Sequence, residues 1–290
     1  MPRIPEGSTY FTFMRVAHKA PALPILGLSI ILVAGYYVAL HYLQAEVMEL
    51  DFKVPGFIVY VLGYVIALLF YFRLGNSYYR WYDGMKGMYY LRSNAESFTM
   101  KVRTYLAGYP DEVRYLSTMA VNYYRAMRDQ VRHVSDPKHM LPASPGLSTM
   151  LEDSYHLPSR VNALIAERLA ELYRKGDLTR AQHLDLDRNI NRNTEWLSAC
   201  EVLKDTPPPP VYVFHLRGFI LFYALIIPFG FIHELGIWMM LFLSVFFYFY
   251  AGMEIISEEV EDPFGFDPND LPVTDMTRGT EKRLSSILKA

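Results

Sequence analysis

Four long apolar runs, two near each end of the chain and free of Asp, Glu, Lys and Arg, constrain the fold most strongly. A helix needs about 20 apolar residues to cross a hydrocarbon core about 30 Å thick, and it satisfies its own backbone polar groups there. The runs therefore predict four transmembrane helices around a long polar middle. They cover residues 20–44, 54–72, 218–232 and 235–253, and the third reaches full length only by including His215 and Arg217.

Composition narrows the classes of partner and cofactor. Charged residues make up 20% of the chain and the mean hydropathy is +0.09, because these averages mix an apolar part with a polar one. A net charge of -2 gives no reason to expect nucleic acid as a partner. The one cysteine, Cys200, cannot form an internal disulfide, and no Cys/His spacing typical of zinc occurs. The polar part is therefore compatible with a reducing cytosol.

The distribution of Lys and Arg around the apolar runs predicts the orientation. Basic residues precede the first run and follow the second, whereas the intervening loop, residues 45–53, offers only Lys53. By the positive-inside rule, both termini and the polar middle are expected in the cytoplasm. The first run is too long for a signal peptide and is followed by another span, so we expect no cleavage. The flanking basic residues are Arg15, Lys19, Arg73, Arg80 and Lys86.

The polar middle predicts an all-helical cytosolic domain. Apolar residues recur at helical spacing over residues 85–106, 113–134, 160–173 and 178–203, and Pro110 favours a helix start. Residues 136–159 are expected to be a loop, and Pro207 to Pro210 a stiff lead into the third span. The predicted organisation is 1–72 as the N-terminal segment with two spans, 73–210 as the cytosolic domain, 211–253 as two further spans, and 254–290 as an acidic belt and tail.

The second apolar run carries a stripe of bulky side chains. Residues 63–81 contain no proline and are expected to form one helix from membrane to cytosol. Tyr64, Leu68 and Phe72 lie four residues apart and share one helix face. A stripe at this spacing is more often ordinary packing than a functional surface.

An acidic stretch, residues 257–272, follows the last run. Acidic runs beside a membrane are usually solvated. The Pro-Phe-Gly at 263–265, with two further prolines, favours a turn that points carboxylates inward, and this arrangement suits calcium. The stretch lacks the loop pattern of an EF-hand.

Three stretches together resemble the bestrophin family of pentameric ion channels, particularly its bacterial members. They are residues 72–83 after the second span, Cys200-Glu201 with its proline-containing lead, and residues 258–271 with Asp-Pro-Phe-Gly and Asn-Asp-Leu-Pro. The resemblance covers essentially the whole chain. It implies an all-α membrane protein with four transmembrane helices and a helical cytosolic domain, forming a homopentamer around a central pore in the bacterial inner membrane.

The same resemblance implies that Tyr64, Leu68 and Phe72 form the rings of a narrow neck. Family necks carry Ile and Phe at these places, so Tyr64 departs from the pattern; the alternative is that Val61 or Val65 faces the axis. An apolar constriction conducts when it stays wet and closes when it dewets. The permeant species are expected to be monovalent ions, with lipid around the ring of subunits.

Further sites follow from the resemblance alone. A cytosolic aperture is expected at Ala181, beside Arg180 and His183, and alanine is smaller than the Ile or Val usual there. In animal relatives calcium binds between subunits. The matching carboxylates here are Asp267 and Asp270, and the matching backbone oxygens belong to Glu259 and Asp262. Calcium is the one cofactor that this correspondence suggests.

Several alternatives stay open. Family members conduct either anions or monovalent cations. We favour anions, and chloride in particular, because anion conduction is the commoner property in the family. A membrane enzyme would need a convergent catalytic set, whereas the eight histidines are scattered and no motif joins one to Cys200. A scaffold that uses the spans only as anchors is the third alternative.

Overall fold

The computed structural model describes residues 23–43, 54–134, 136–152, 154–267 and 269–289; side chains are described from residue 27 onward and omit residues 232 and 233. Within these ranges all regular secondary structure is helical, and no β-strand occurs. The predicted loop 45–53, Arg15 and Lys19 lie outside the described residues. The helices are α1 Leu23–Tyr42, α2 Gly56–Tyr105, α3 Pro110–Gln130, α4 Leu147–Glu152, α5 Leu157–Lys175, α6 Arg180–Asp205, α7 Pro210–Leu235, α8 Trp238–Glu261 and α9 Val273–Lys289.

The described residues form two compact units. The apolar unit contains the residues up to Arg80, Pro207–Glu261 and Asp267–Asn269, and the polar unit contains Trp81–Thr206, Asp262–Phe266 and the residues from Asp270 onward. Helix α2 runs without a break through the predicted boundary at residue 73, which confirms that one helix continues past the second apolar run. The apolar unit extends to Arg80, and both Arg73 and Arg80 bind Glu261 of α8.

Three helices of the apolar unit are long and apolar enough to cross a membrane: α2, residues 210–231 of α7, and α8. The described side chains of α1, residues 27–42, form a shorter apolar helix, so the first of the four predicted spans stays a prediction. The third span includes His215 and Arg217, as its length required. The buried apolar core of this unit consists of Tyr37, Val59, Ile66, Phe70, Leu216, Ile220, Tyr223, Ile227, Met239 and Leu243.

Local sequence explains how α7 and α8 begin and meet. Pro207 to Pro209 precede α7 without helical structure, and Pro210 takes its first position, where a missing N–H is harmless. The tight turn into α8 contains Gly236 with φ +51°, a backbone conformation that glycine tolerates best. The Tyr37 hydroxyl donates to the Gly236 carbonyl and so ties α1 to this turn.

The polar unit is a helical bundle with conventional caps. Helix α3 begins at Pro110, as predicted, with Asp111 and Glu112 in its first turn, where the helix dipole favours acidic side chains. Helix α6 begins with a capping box between Thr179 and Gln182. Inside the bundle, paired amides join α2 to α6: Asn189 Nδ2 donates to Asn94 Oδ1 at 2.7 Å.

The structure adds helices where the sequence pattern suggested none. The predicted loop 136–159 contains the short helix α4, and α5 begins at Leu157, inside that range. The tail is the helix α9, which buries Leu284 and pairs Glu281 with Arg125 of α3 at 2.6 Å. No secondary structure was predicted for this tail; it is helical because α9 has an apolar stripe that packs against the bundle.

Candidate functional site

The stripe on α2 is fully directed away from the core of the apolar unit. Tyr64, Leu68 and Phe72 are 73%, 44% and 52% exposed, although they lie in an apolar helix. Ile66 and Phe70 between them are buried. At about 100° per residue, Leu68 lies about 160° from each of them, so the stripe occupies the opposite face of the helix. The single chain leaves this face for contacts with something other than its own core.

Val61 and Val65, the alternative neck residues, are also exposed. Val61 lies one turn before Val65 and within about 60° of Tyr64 around the helix, and it therefore continues the same face. Val65 lies at the edge of that face. All five side chains thus belong to one uncharged exposed surface, which we call the α2 stripe: Val61, Tyr64, Val65, Leu68 and Phe72.

Close helix packing fixes the buried face of α2. A Cβ on Gly63 would lie 2.6 Å from the Tyr223 hydroxyl oxygen, and a Cβ on Gly230 would lie 2.7 Å from Val59 Cγ2. Neither distance leaves room for a larger residue, so these two glycines let α2 and α7 approach each other. Phe70 adds an edge contact to Tyr250 of α8, with ring centroids 4.8 Å apart.

An ion-pair cluster lies directly after Phe72 and was missed by the sequence reasoning. Arg73 is 1% exposed; its Nε lies 3.3 Å from Glu254 Oε2, and its Nη1 pairs with Glu261. Arg217 of α7 binds Glu254 at 3.2 Å and Glu258 at 2.7 Å. A charge at the end of an apolar run was the available signal, because charged groups beside or within spans need partners.

The predicted aperture residue is at the start of a helix. Ala181 is exposed in the first turn of α6. His183 nearby stacks on Tyr173, with ring centroids 5.1 Å apart. One turn after Ala181, Asp185 binds Lys101 Nζ at 2.9 Å, and this hydrogen bond lowers the pKa of the Asp185 carboxyl below its ordinary value. The first turns of α6 therefore carry an exposed methyl group beside a polar cluster.

The acidic belt folds into a turn closed by the bond from Leu271 N–H to the Pro263 carbonyl, 2.9 Å long. A Cβ on Gly265 would lie 2.6 Å from Asp270 Oδ2 and 3.6 Å from Asp262 Oδ2, so two carboxylates converge on this glycine. Lys204 Nζ binds Asp262 at 2.8 Å. The two carboxylates are ligands of the kind that a hard cation prefers, and the Lys204 ammonium neutralises one of them in the single chain.

The other two belt residues, Glu259 and Asp267, do not converge on Gly265. The Glu259 carboxylate accepts a hydrogen bond from Asn269 Nδ2 at 2.6 Å, and Asp267 is exposed. In the part of the chain that the structure describes, no three His, Cys, Asp or Glu side chains form a metal-binding group. A complete ligand set at this belt would therefore require backbone oxygens or a second chain.

Cys200 offers no nucleophile. It is buried against Gly87, and burial raises the pKa of its thiol to about 12, so the thiolate is nearly absent at neutral pH. The Cys200-Glu201 pair is therefore a packing feature of α6 in this structure. His156 Nε2 lies 2.7 Å from Glu201 Oε1 and occupies that carboxylate.

The chain is similar to several curated bacterial proteins. A voltage-dependent anion channel-forming protein from Nostoc sp. (strain PCC 7120) is 27% identical over 229 residues, which cover 76% of this chain and 73% of the relative. The voltage-dependent anion channel-forming protein YneE of Escherichia coli (strain K12) is 27% identical over 219 residues, covering 73% of this chain and 70% of the relative.

Solved structures share the fold. A bacterial bestrophin homologue from Klebsiella pneumoniae, solved as a point variant, superposes with a TM-score of 0.81 at 23% identity, covering 92% of this chain and 99% of that one. Another variant of the Klebsiella homologue gives a TM-score of 0.82 at 20% identity, with 93% and 99% covered. The sequence model of the Bacterial/Fungal Bestrophin protein family matches residues 9–286.

Proposed function

Since the chain belongs to the bacterial and fungal bestrophin family and is an integral membrane protein, we propose that it forms an ion channel lined by the α2 stripe. The observation that carries the proposal is that Tyr64, Leu68 and Phe72 are exposed on an apolar helix opposite its packed face. Several copies of this face around an axis would form an apolar constriction that conducts when wet and closes when it dewets.

We propose a homopentamer, in keeping with the family resemblance. Each chain would contribute one α2 stripe to the axis, and α7 and α8 would lie farther out. Native mass measurement of the purified protein tests the number of chains; any species other than five would contradict the proposal. Both termini are proposed to lie in the cytoplasm of a bacterial cell, and fusions of a cytoplasm-only reporter to the C-terminus would lose their signal if the orientation were reversed.

For the permeant ion we propose chloride and other monovalent anions. Support comes from the relatives in Nostoc and Escherichia coli, which are named as anion channel-forming proteins. The alternative is a monovalent cation channel of the same fold.

A flux assay tests conduction itself. Purified protein is reconstituted into liposomes that contain a halide-quenched dye, and entry of an external halide is followed by fluorescence. We expect faster entry than into empty liposomes, and a further increase for Phe72→Ala, because a smaller side chain widens and wets the neck. Flux equal to that of empty liposomes in both proteins would favour the alternative of a membrane-anchored scaffold.

The lower aperture is proposed at Ala181. Replacing it by isoleucine adds three carbons to each subunit at an exposed position of α6. We expect Ala181→Ile to reduce ion flux without lowering the thermal midpoint of unfolding. An unchanged flux would exclude Ala181 from the narrow part of the path.

Calcium binding at the acidic belt is proposed as a control on conduction. Asp267 and Asp270 would supply carboxylates, the backbone oxygens of Glu259 and Asp262 would supply further ligands, and the ion would add a fixed positive charge to the belt. Terbium occupies calcium sites and luminesces when bound. Its luminescence with the purified protein, and the loss of that luminescence when calcium displaces it, therefore measure binding. Binding that is unchanged in Asp267→Asn with Asp270→Asn, or absent from the parent protein, would contradict this site.

A further inference from the structure

We infer that Arg73 is a positioning residue for the neck, since its buried ion pairs to Glu254 and Glu261 hold α2 at the rotation that turns Leu68 away from the core. This inference rests on the proposed function, because it concerns which face of α2 meets the ion path. The charge cluster lies outside the neck, and its proposed role is to fix the rotation of α2.

The cluster is built at the point where a rotation of α2 matters most. Arg73 follows Phe72 directly and lies about 140° from Leu68 around the helix, on the side that also carries the buried Ser77. A turn of α2 that brought Leu68 toward the core would withdraw the guanidinium from both carboxylates. Burial makes that withdrawal unfavourable, because a buried charge without its partner is strongly destabilising.

Both partners of Arg73 come from the last two turns of α8. Glu254 is buried and lies seven residues before Glu261, so the guanidinium spans two turns of the partner helix. Arg80, two turns farther along α2, donates its Nε to the Glu261 carbonyl at 3.0 Å. Two arginines of one helix thus hold the C-terminal end of the other, where the helix dipole favours positive charge.

A third helix is tied to the same carboxylates. Arg217 of α7 binds Glu254 and Glu258, so α2, α7 and α8 are joined by charge at one level. Arg73 and Glu254 are the two buried charges of this group, and the other members are partly exposed. Loss of Arg73 would leave Glu254 with Arg217 as its one cationic partner among the described residues.

The cluster is not optimised for stability alone. Within the described residues, Arg73 Nη2 and the Ser257 hydroxyl are buried without a hydrogen-bond partner. Buried polar atoms in this state are unfavourable, and an apolar residue of similar size is often as stable as a buried ion pair. Retaining a charged group at this position is better explained by the single orientation that its two directional partners enforce.

Thiol accessibility tests the rotation directly. The chain's one cysteine, Cys200, is buried and hardly ionised, so the background reaction is low. Leu68→Cys and Ile66→Cys place thiols on the exposed and the buried face of α2. In liposomes, a water-soluble methanethiosulfonate reagent should modify position 68 at least about tenfold faster than position 66, since buried groups react only through local opening.

The same pair is then measured with Arg73→Gln added. A rotated α2 lowers the rate at position 68 and raises it at position 66, whereas general loosening raises both. We expect the ratio of the two rates to fall at least about threefold, and Arg73→Lys to give an intermediate ratio because lysine keeps the charge but lacks the planar fork. Arg92→Gln, the same change on the same helix at a partly exposed pair with Glu96, should leave the ratio unchanged.

The outcomes separate this inference from the proposed function. If Leu68→Cys is not modified faster than Ile66→Cys in the parent, the α2 stripe does not face water and the channel proposal fails. If the parent shows the contrast and Arg73→Gln keeps it, the positioning role is wrong. Should Arg73→Gln fail to fold, Glu261→Gln replaces it; a ratio equal to that of the parent would then overturn the inference.

Discussion

Gly87 should tolerate alanine only when Cys200 is made smaller. A Cβ on Gly87 would lie 2.6 Å from Cys200 Sγ, about 1 Å inside the ordinary contact range that begins at 3.4 Å. The sulfur is the first atom beyond Cβ of a buried residue on α6, so it has no flexible end to move. Overpacking of this kind usually destabilises by about 1–3 kcal/mol. Replacing a glycine inside a helix by alanine stabilises by about 1 kcal/mol, which offsets part of that loss.

These terms predict a specific double-mutant cycle. Gly87→Ala should lower the free energy of unfolding by up to about 2 kcal/mol, and Cys200→Ala by about 1 kcal/mol because it leaves a small cavity. The double variant should be about as stable as the parent, because the added methyl group occupies the space that the sulfur leaves. A coupling of up to about 3 kcal/mol between the two positions lies within the range found for residues in contact.

Thermal unfolding in detergent, followed by helical circular dichroism, measures the cycle. A change of 1 kcal/mol corresponds to roughly 2–4 °C in a domain of 150–250 residues. Gly279→Ala in α9 is the matched control, because no atom lies within 4 Å of its added Cβ, and it should be slightly more stable than the parent. If Gly87→Ala is as stable as that control, or if the two substitutions are simply additive, the packing of α2 against α6 is wrong.

Three further predictions concern reactivity, acidity and the α2 stripe. Cys200 should resist iodoacetamide at pH 8 until the protein unfolds, since burial raises the pKa of its thiol to about 12; rapid alkylation of the folded protein would refute this burial. The hydrogen bond from Lys101 lowers the pKa of the Asp185 carboxyl. The ionised carboxylate therefore stabilises the folded protein at neutral pH, and this stabilisation is lost as the pH falls below about 4. The difference in thermal midpoint between the parent and Asp185→Asn should accordingly shrink on acidification. Ile66→Ala should destabilise by about 2–5 kcal/mol and Leu68→Ala by much less while increasing ion flux; equal losses of stability at both positions would argue against an exposed stripe.

The sequence predicted most of the helices because their signals are local. Apolar length identified α2, α7 and α8 as spans, and the helical spacing of apolar residues located α3, α5 and α6 to within a few residues. Pro110 marked its helix start because proline fits the first turn. The absence of proline from residues 63–81 was sufficient to predict one continuous helix there.

The remaining features depend on contacts between distant residues. The Arg73–Glu254 pair joins positions 181 apart in the chain, and no local pattern specifies that pairing. Helix α9 did carry a readable signal, since Val273, Thr277 and Leu284 recur on one face, but its polar composition concealed it. For the neck, the spacing of Tyr64, Leu68 and Phe72 indicated one helix face, and the single chain exposes that face. A pore axis can form only when further copies of the chain assemble.

Reversal potentials across a planar bilayer test the central claim most directly. Purified protein is incorporated under a tenfold gradient of potassium chloride, and the current is recorded for the parent and for Phe72→Ala. We predict that the reversal potential shifts toward the chloride equilibrium potential. We also predict that the current is larger for Phe72→Ala than for the parent. A reversal toward the potassium potential would contradict the anion proposal, and the lack of any current in both proteins would contradict the channel itself.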